Sequence, residues 1–224
     1  MSQYVPKSEK SLFHALDFQR KTPEQMQAIS LELFERMNQR RSVRQFSTEP
    51  IPLDVVRAAI ATANTAPSGA NKQPWTYVMI INPNLKKRLR EAAEFEERRF
   101  YKERASDEWL TDLLRFGTDW QKPMLEDAPV LIAVFAQTQG EQGQKHYYVK
   151  ESVGLSVGLL LGALHLSGLA TLTHTPSPMA FLNDILERPA NERPYLLIPV
   201  GYPIEDCLVP TIVRKSESQY LIEK

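Results

Sequence analysis

The spacing of apolar residues divides the chain into alternating helices and strands. Residues 22–40 and 52–63 carry apolar side chains at helical spacing, and a Thr-Pro-Glu-Gln sequence at the start of the first segment has the pattern of a capping box. Residues 75–81 and 129–135 are nearly continuous apolar runs, rich in β-branched and aromatic side chains. Such runs predict central strands covered on both faces.

The second half of the chain continues this alternation. Residues 83–102 and a segment capped by Ser106 predict two helices, and residues 146–167 predict a long helix ended by Gly168. Small residues recur along this long helix and would let another backbone approach closely: Gly154, Gly158, Gly162 and Ala163. The remaining predicted elements are a strand, a short helix and a strand, at residues 169–173, 179–186 and 195–200. We therefore expect an α+β fold in which helices flank a mixed central β-sheet.

Composition favours one ordinary globular domain. The 224 residues are 42% hydrophobic, and 27 basic side chains balance 27 acidic ones, so no whole-chain field favours nucleic acid or an anionic membrane. We expect an N-terminal arm at residues 1–21 and a single domain at residues 22–224. Cys207 is the only cysteine, which excludes an internal disulfide and favours a reducing compartment. No spacing typical of metal ligands is visible, so we expect no metal.

Two apolar segments bear on membrane association. Residues 1–20 lack the uninterrupted apolar core of a secretory signal. Residues 153–166 are strongly apolar but fall short of the roughly 20 residues that span a bilayer. We interpret the second segment as a buried helix and predict a cytoplasmic protein without a membrane partner.

Three short motifs could carry chemistry. Arg40, Arg41, Ser42 and Arg44 follow a predicted helix, and neighbouring guanidinium groups favour a polyanion, although arginines at a helix end also simply solvate a surface. Residues 68–71 form a glycine-containing turn before a strand, where backbone could meet a planar ligand. Alternating threonines in the sequence TLTHTP share one face of a strand end, which strand propensity alone also explains.

Taken in order, these motifs resemble one flavoprotein family. The sequences RRSVRQFS, TAPSGANKQPW, TLTHTP and PVGYP, followed by Val-Arg-Lys at residues 213–215, are similar to the FMN-binding pattern of the nitroreductase-like superfamily. The resemblance implies a homodimer with FMN at its interface. The C-terminal extension, from residue 203 onward, has no apolar core of its own, so we expect it to pack on the partner subunit. The FMN contacts that the resemblance implies are Arg40, Arg41, Ser42, Arg44, Pro67, Ser68, Gly69, Thr173, His174, Thr175 and Arg214.

A densely charged insert points to one branch of this superfamily. Glu97 and Tyr101 are four residues apart and share a helical face, and Lys122 follows the next predicted helix. This trio resembles the lid of iodotyrosine deiodinases, in which such groups hold the ammonium and carboxylate of the substrate. The resemblance implies a lid at about residues 92–122 and a backbone amide of Ala70 that binds the substrate phenolate. A solvated helix with an incidental tyrosine would leave the same pattern.

The resemblance implies an FMN-dependent reductive dehalogenase that converts halogenated tyrosines to tyrosine and halide. The Thr173 hydroxyl would donate a hydrogen bond to flavin N5, which makes single-electron steps accessible. NAD(P)H or a reductase would supply the electrons. A generic NAD(P)H-dependent nitro or quinone reductase shares every FMN motif and lacks only the lid trio. A non-catalytic sensor of flavin or amino acids is a further alternative. His146, His165 and Cys207 have no catalytic spacing.

Overall fold

The computed structural model describes residues 13–224, so most of the predicted N-terminal arm lies outside the described residues. The chain divides into two compact units, residues 1–38 and 39–224. In the first unit, α1 (Pro23–Gln39) follows residues 13–22, which form neither helix nor strand. Thr22 Oγ1 accepts from the Gln25 amide at 3.3 Å and Gln25 Oε1 accepts from the Thr22 amide at 3.1 Å, which is the predicted capping box.

The apolar face of α1 is open within the first unit. Helix α1 has no buried residue, and its apolar side chains include Met26, Ile29 and Leu33, which are 58%, 53% and 49% exposed. Isolated exposed apolar residues are ordinary, but several on one helical face mark a surface that another chain can cover.

The second unit follows the predicted order of elements. Its helices are α2 (Leu53–Ala63), α3 (Pro83–Arg99), α4 (Asp107–Leu114), α5 (Met124–Asp127), α6 (Val149–Leu166), α7 (Phe181–Ile185) and α8 (Glu217–Tyr220). Its strands are β1 (Trp75–Ile80), β2 (Val130–Gln137), β3 (Ala170–Thr171) and β4 (Glu192–Gly201). Only the four-residue helices α5 and α8 were not anticipated. A π-helical turn at Phe100–Arg104 extends α3, and Ser106 caps α4 by accepting from the Trp109 amide at 3.2 Å.

The four strands form one sheet in the order β1-β2-β4-β3, and every ladder is antiparallel. The sheet-and-helix class is therefore as predicted. The expected mixture of strand directions is reduced to an isolated parallel bridge between Ser42 and Thr171, because residues 40–44 meet β3 without extending into a ladder. Strand β1 is an edge strand rather than the predicted central one, and its middle four residues are only partly buried. An apolar run does not report how many neighbours a strand has.

The central strand β2 separates two hydrophobic cores. Its side chains alternate between the two faces, as the strand period requires. Val130, Ile132 and Val134 belong to a cluster with residues of α2 and α6, whereas Leu131 and Phe135 belong to one with residues of α3 and α7. All five are fully buried. The sheet therefore has helices on both faces, which explains the continuous apolar run in the sequence.

Helix α6 begins at Val149, three residues later than predicted, because Tyr148 adopts a left-handed conformation with φ of 50°. It ends at Leu166, one residue before the predicted end, and Gly168, the predicted terminating glycine, has a left-handed backbone with φ of 82°. Among residues 13–224, α6 is the one helix long and apolar enough to span a membrane, but it contributes to the core beside β2. Gly158 lies on an open surface, where an added Cβ would meet no atom of the described chain within 4 Å.

Candidate active site

The arginine-rich segment lies beside the end of the sheet. The Val43 amide donates to the Thr171 carbonyl oxygen at 3.0 Å, which places residues 40–44 next to β3. The C-terminal segment reaches the same place, since the Arg214 guanidinium donates to the Arg40 carbonyl oxygen at 3.4 Å and the Arg41 guanidinium donates to that of Pro210. Two motifs separated by about 170 residues thus form one basic cluster.

Among the described residues, this basic cluster has no acidic partners. Within residues 13–224, no carboxylate lies within 4.0 Å of the guanidinium nitrogens of Arg40, Arg41, Arg44 or Arg214. Arg44 is partly buried, which lowers its pKa, and its guanidinium carbon lies 5.9 Å from the centre of the Phe116 ring. Several cations held together without carboxylates form a surface suited to an anionic ligand.

The segment after β3 presents alternating side chains to solvent and to the interior. Thr173 and Thr175 are exposed, whereas Thr171 and His174 are buried. The three threonines alternate as predicted, but they differ in exposure, because the neighbouring Ser42 segment covers Thr171. Two hydrogen bonds of 2.9 Å between the backbones of His174 and Leu197 hold this segment against β4.

The same segment carries a buried imidazole, that of His174. Burial, aided by the positive charge of Lys122, lowers the pKa of its imidazole to about 3, so the ring is neutral at physiological pH. Its Nε2 is the one buried side-chain nitrogen or oxygen within residues 13–224 that has no hydrogen-bond partner. Buried polar atoms are usually paired, so an unpaired one in a cavity wall indicates a place where a ligand completes the bonding.

The predicted lid residues come together although Lys122 lies far from Glu97 in sequence. Lys122 Nζ is 3.2 Å from Glu97 Oε2 and also donates to the Asp119 carbonyl oxygen. The Tyr101 hydroxyl donates to the Thr118 carbonyl oxygen at 3.1 Å, and Lys122 Nζ lies 5.7 Å from the Tyr101 ring centre. The side chains of Lys122 and Glu97 are only 4% and 12% exposed.

Burial changes the pKa values of Glu97 and Tyr101. Burial raises the pKa of Glu97, while the charge and hydrogen bond of Lys122 act in the opposite direction. Burial also raises the pKa of the Tyr101 hydroxyl, which therefore stays protonated and able to donate. The cluster thus offers a carboxylate, an ammonium and a phenol in a largely dry setting, where each interaction is stronger than in water.

A cavity of about 490 Å³ joins Glu97, Tyr101 and Lys122, together called the lid cluster, to the segment after β3. Its wall includes the predicted residues Arg44, Glu97, Tyr101, Lys122, Thr173, His174 and Thr175. A second cavity of about 610 Å³ is lined by Ser42 and Arg44 among others, and a smaller one of about 110 Å³ is lined by the same two residues with Arg40 and Arg41. The arginine motif, the threonine motif and the lid cluster therefore meet around Arg44.

The turn at residues 67–70 lies elsewhere. The Ser68 hydroxyl accepts from the Gln73 amide at 2.9 Å, and the Gly69 amide donates to the Ser152 hydroxyl at 3.4 Å, which sets the turn against α6. Ala70 has a left-handed backbone with φ of 50°. None of Pro67, Ser68, Gly69 and Ala70 lines the cavities around Arg44. Within one chain, the predicted contacts therefore fall into two separate groups.

Comparison with known proteins decides the family. A model of the nitroreductase family matches residues 37–202, which cover the arginine motif, the predicted lid, the threonine motif and all four strands. The chain belongs to the nitroreductase family.

Within residues 13–224, no group of three potential metal-ligating side chains occurs.

Individual relatives place this nitroreductase in the iodotyrosine deiodinase branch. A protein named iodotyrosine deiodinase from Haliscomenobacter hydrossis is 53% identical over 205 residues, covering 89% of this chain and 92% of the relative. Iodotyrosine deiodinase 1 from Rattus norvegicus is 42% identical over 221 residues, covering 96% and 78%. A crystal structure of oxidized iodotyrosine deiodinase bound to FMN and 3-iodo-L-tyrosine has a TM-score of 0.74 and 32% identity, covering 85% of this chain and all of that chain.

The sequence did not reveal the apolar half of the cavity in this nitroreductase. Phe100 packs edge-on against Trp109 and Tyr101, with ring centres 4.8 Å and 5.6 Å apart, and Met124 and Met179 complete the wall. Helical periodicity placed Trp109 on an amphipathic helix but did not predict its contact with Phe100. The π-helical turn, which brings Phe100 and Tyr101 into one wall, has no recognised sequence signal.

Proposed function

We propose that this protein is an FMN-dependent reductive dehalogenase that acts on halogenated tyrosines. The reaction adds two electrons and one proton to the halotyrosine, breaks the carbon–halogen bond, forms a carbon–hydrogen bond and releases halide. The observation that carries the proposal is the meeting of Glu97, Tyr101 and Lys122 with Thr173 around one cavity. A reductase that accepts any flat molecule has no need of a buried carboxylate and ammonium at its entrance.

The residues present fit FMN. Arg40, Arg41 and Arg214 would hold its phosphate, and their lack of carboxylate partners within residues 13–224 leaves them available to an anion. Ser42 would contact the same end. When bound, FMN supplies the two electrons for the reaction. Arg44 would place a positive charge beside the flavin ring, where a reduced flavin carries negative charge.

The segment from Thr173 to Thr175 would form another part of the FMN site. The exposed hydroxyls of Thr173 and Thr175 can donate to ring atoms, and the unpaired Nε2 of His174 lies in the same wall. We assign to Thr173 the hydrogen bond to flavin N5. Replacement of Thr173 by alanine should then slow dehalogenation more than it weakens FMN binding.

The lid cluster would bind the amino acid end of the substrate. The Glu97 carboxylate suits the substrate ammonium, and the Lys122 ammonium and Tyr101 hydroxyl suit the substrate carboxylate. Glu97 and Lys122 already neutralise each other at 3.2 Å, so the site stays neutral before and after it takes up a zwitterion. A substrate that carries only one of the two charges would leave a buried charge without a partner, which costs several kcal/mol at an order-of-magnitude level.

The separate position of residues 67–70 supports a dimeric site. We propose that Pro67, Ser68 and Gly69 contact the FMN of a partner subunit and that the Ala70 amide binds the phenolate of the substrate there. The exposed apolar side chains of the tail, including Leu208 and Val213 at 85% and 95% exposure, suit burial on that partner. The described part of the arm, with Phe13 and Leu16 exposed, suits the same role. We expect NAD(P)H or a reductase to supply the electrons.

Anaerobic turnover tests the chemistry. The purified protein is loaded with FMN, reduced with dithionite and mixed with diiodotyrosine, while flavin reoxidation and the release of tyrosine and iodide are followed. We expect tyrosine to form as the flavin is reoxidised. Reoxidation by a nitroarene or quinone but not by diiodotyrosine would instead indicate a generic reductase, and no turnover with any acceptor would indicate a ligand sensor.

Binding to the oxidised protein tests the lid cluster separately. Quenching of flavin fluorescence by 3-iodotyrosine should be weakened about tenfold or more in Glu97→Gln and Lys122→Ala, because each change leaves one charge of the zwitterion unpaired. Glu91→Gln is the matched control, since Glu91 lies exposed on the same helix α3. Unchanged quenching in both lid variants would contradict the assigned roles.

A further inference from the structure

One buried carboxylate near the lid cluster takes no part in the roles assigned so far. Glu94 lies on α3 one turn before Glu97 and is 8% exposed. Its Oε1 accepts hydrogen bonds from the Lys122 backbone amide at 2.8 Å and from Arg90 Nε at 2.7 Å, and its Oε2 lies 3.8 Å from Arg98 Nη2. Carboxylates are rarely this buried unless they are paired, so these contacts account for its position.

The contact with the Lys122 amide complements the contact that Glu97 makes. Residues three apart on a helix face the same side, so Glu94 and Glu97 both point toward the segment that carries Lys122. Glu94 binds the backbone of Lys122, and Glu97 lies 3.2 Å from its Nζ. One turn of α3 therefore holds the lysine at both ends.

The segment before Lys122 needs such an anchor. Between the end of α4 at Leu114 and the start of α5 at Met124, the chain forms neither helix nor strand. The Lys122 carbonyl oxygen accepts from the Leu125 amide at 3.1 Å at the start of α5, whereas the Lys122 amide donates to the Glu94 side chain, which is the contact that ties this backbone to α3. A lysine side chain also loses about 2 kcal/mol of rotamer freedom when it is held, so a mobile backbone would weaken its hold on a ligand.

Two arginines support Glu94 from the outside. Arg90 joins it to α5, because Arg90 Nη1 also lies 3.5 Å from Glu126 Oε1. Arg98 places its guanidinium carbon 4.1 Å from the centre of the Trp120 ring, within the same irregular segment. Burial alone would raise the pKa of Glu94, but the hydrogen bonds from Arg90 and from the Lys122 amide outweigh it and lower the pKa. The carboxylate therefore stays charged and continues to accept.

We propose that Glu94 is a positioning residue for amino acid substrates: by holding the Lys122 backbone on α3, it places the Lys122 ammonium opposite Glu97 so that the pair can receive a zwitterion. This inference rests on the proposed function. Glu94 acts through Lys122, and its effect is confined to ligands that carry an ammonium and a carboxylate. A halophenol, which lacks both, does not use the anchored lysine.

The test compares two replacements of similar size. Glu94→Met removes the acceptor, whereas Glu94→Gln keeps an oxygen that can accept from the Lys122 amide. Glu91→Gln, on the exposed side of α3, is the control. For each FMN-loaded protein, the affinity for FMN, the quenching of flavin fluorescence by 3-iodotyrosine, and kcat/KM for 3-iodotyrosine and for 2-iodophenol are measured.

We expect Glu94→Met to lose about tenfold or more in affinity and kcat/KM for 3-iodotyrosine, because a hydrogen bond to a charged group contributes roughly 1.5–3 kcal/mol. Affinity for FMN and kcat/KM for 2-iodophenol should change less than about twofold, and Glu94→Gln should recover most of the loss. Equal losses with both substrates would indicate general damage and overturn the proposal. So would Glu94→Gln behaving like Glu94→Met, since the amide contact would then not be the cause.

Two measurements keep this inference separate from the proposed function. If the unmodified protein neither binds nor dehalogenates 3-iodotyrosine, the proposed function fails, whatever the Glu94 variants do. Limited trypsin digestion of the FMN-loaded protein then tests the anchor alone, because Arg115 offers a cleavage site in the irregular segment, whereas the Lys122–Pro123 bond resists trypsin. Glu94→Met should be cut there several times faster than the unmodified protein or Glu91→Gln, and equal rates would overturn the anchoring role. If methionine prevents folding, Glu94→Ala makes the same comparison.

Discussion

The buried imidazole of His174 predicts a specific loss of stability in mild acid. His174 is 8% exposed, and its backbone is held by Leu197 on β4. The ring is neutral because burial, assisted by the positive charge of Lys122, lowers its pKa from 6.5 to about 3. In the unfolded chain the ring has no such restraint and takes up a proton near its ordinary pKa. Folding and protonation of His174 therefore compete.

The direction and size of the effect follow from linkage. Between pH 6.5 and about pH 3, the unfolded chain holds a proton that the folded chain lacks, so stability rises with pH across this window. The full stability is present above pH 6.5 and is lost as the pH falls toward 3. From these two values, His174 lowers the free energy of unfolding by about 2 kcal/mol between pH 7 and pH 5. This is a large fraction of the roughly 5–15 kcal/mol typical of a domain.

Urea unfolding of the unmodified protein and of His174→Gln at several pH values between 7 and 5 measures this contribution. Protein and FMN concentrations are held constant, because subunit and ligand binding both add to apparent stability. We expect the free energy of unfolding of His174→Gln to fall by about 2 kcal/mol less than that of the unmodified protein between pH 7 and pH 5. His14→Gln, at an exposed position, should parallel the unmodified protein. Parallel curves for all three proteins, or an NMR titration in which every histidine gains its proton above pH 5, would refute the reasoning.

Two glycines give further predictions. Gly69→Ala would place a Cβ 2.8 Å from Tyr148 Cδ2 and 3.0 Å from the Tyr147 carbonyl oxygen, so urea unfolding should show a loss of about 1–3 kcal/mol, and no loss would contradict this close packing. Gly158→Leu should leave the circular dichroism spectrum of the chain unchanged, because within residues 13–224 a Cβ there meets no atom within 4 Å. It should nevertheless weaken dimers seen by sedimentation if α6 faces the partner closely, and an unchanged dimer would argue against that face.

Local sequence determined most of the elements and several of their ends. The capping box at Thr22, the Ser106 cap and the left-handed Gly168 were all predicted because each depends on residues within a few positions of one another. The i,i+4 spacing likewise placed Glu97 and Tyr101 on one side of a helix. The family motifs also identified the segments that meet around Arg44.

Tertiary structure decided which of these elements meet. Nothing local indicates that the irregular segment before α5 turns back so that Lys122 reaches Glu97, or that Glu94 holds its backbone. The unpaired nitrogen of His174 depends equally on which side chains surround it. The similar apolar runs of β1 and β2 became an edge strand and a central strand. The apolar pattern of a strand shows which of its two faces are covered, but it does not show how many strands pair with it. Helix ends and periodicity are short-range properties of the backbone, whereas burial, pairing and pKa arise from contacts between residues distant in sequence.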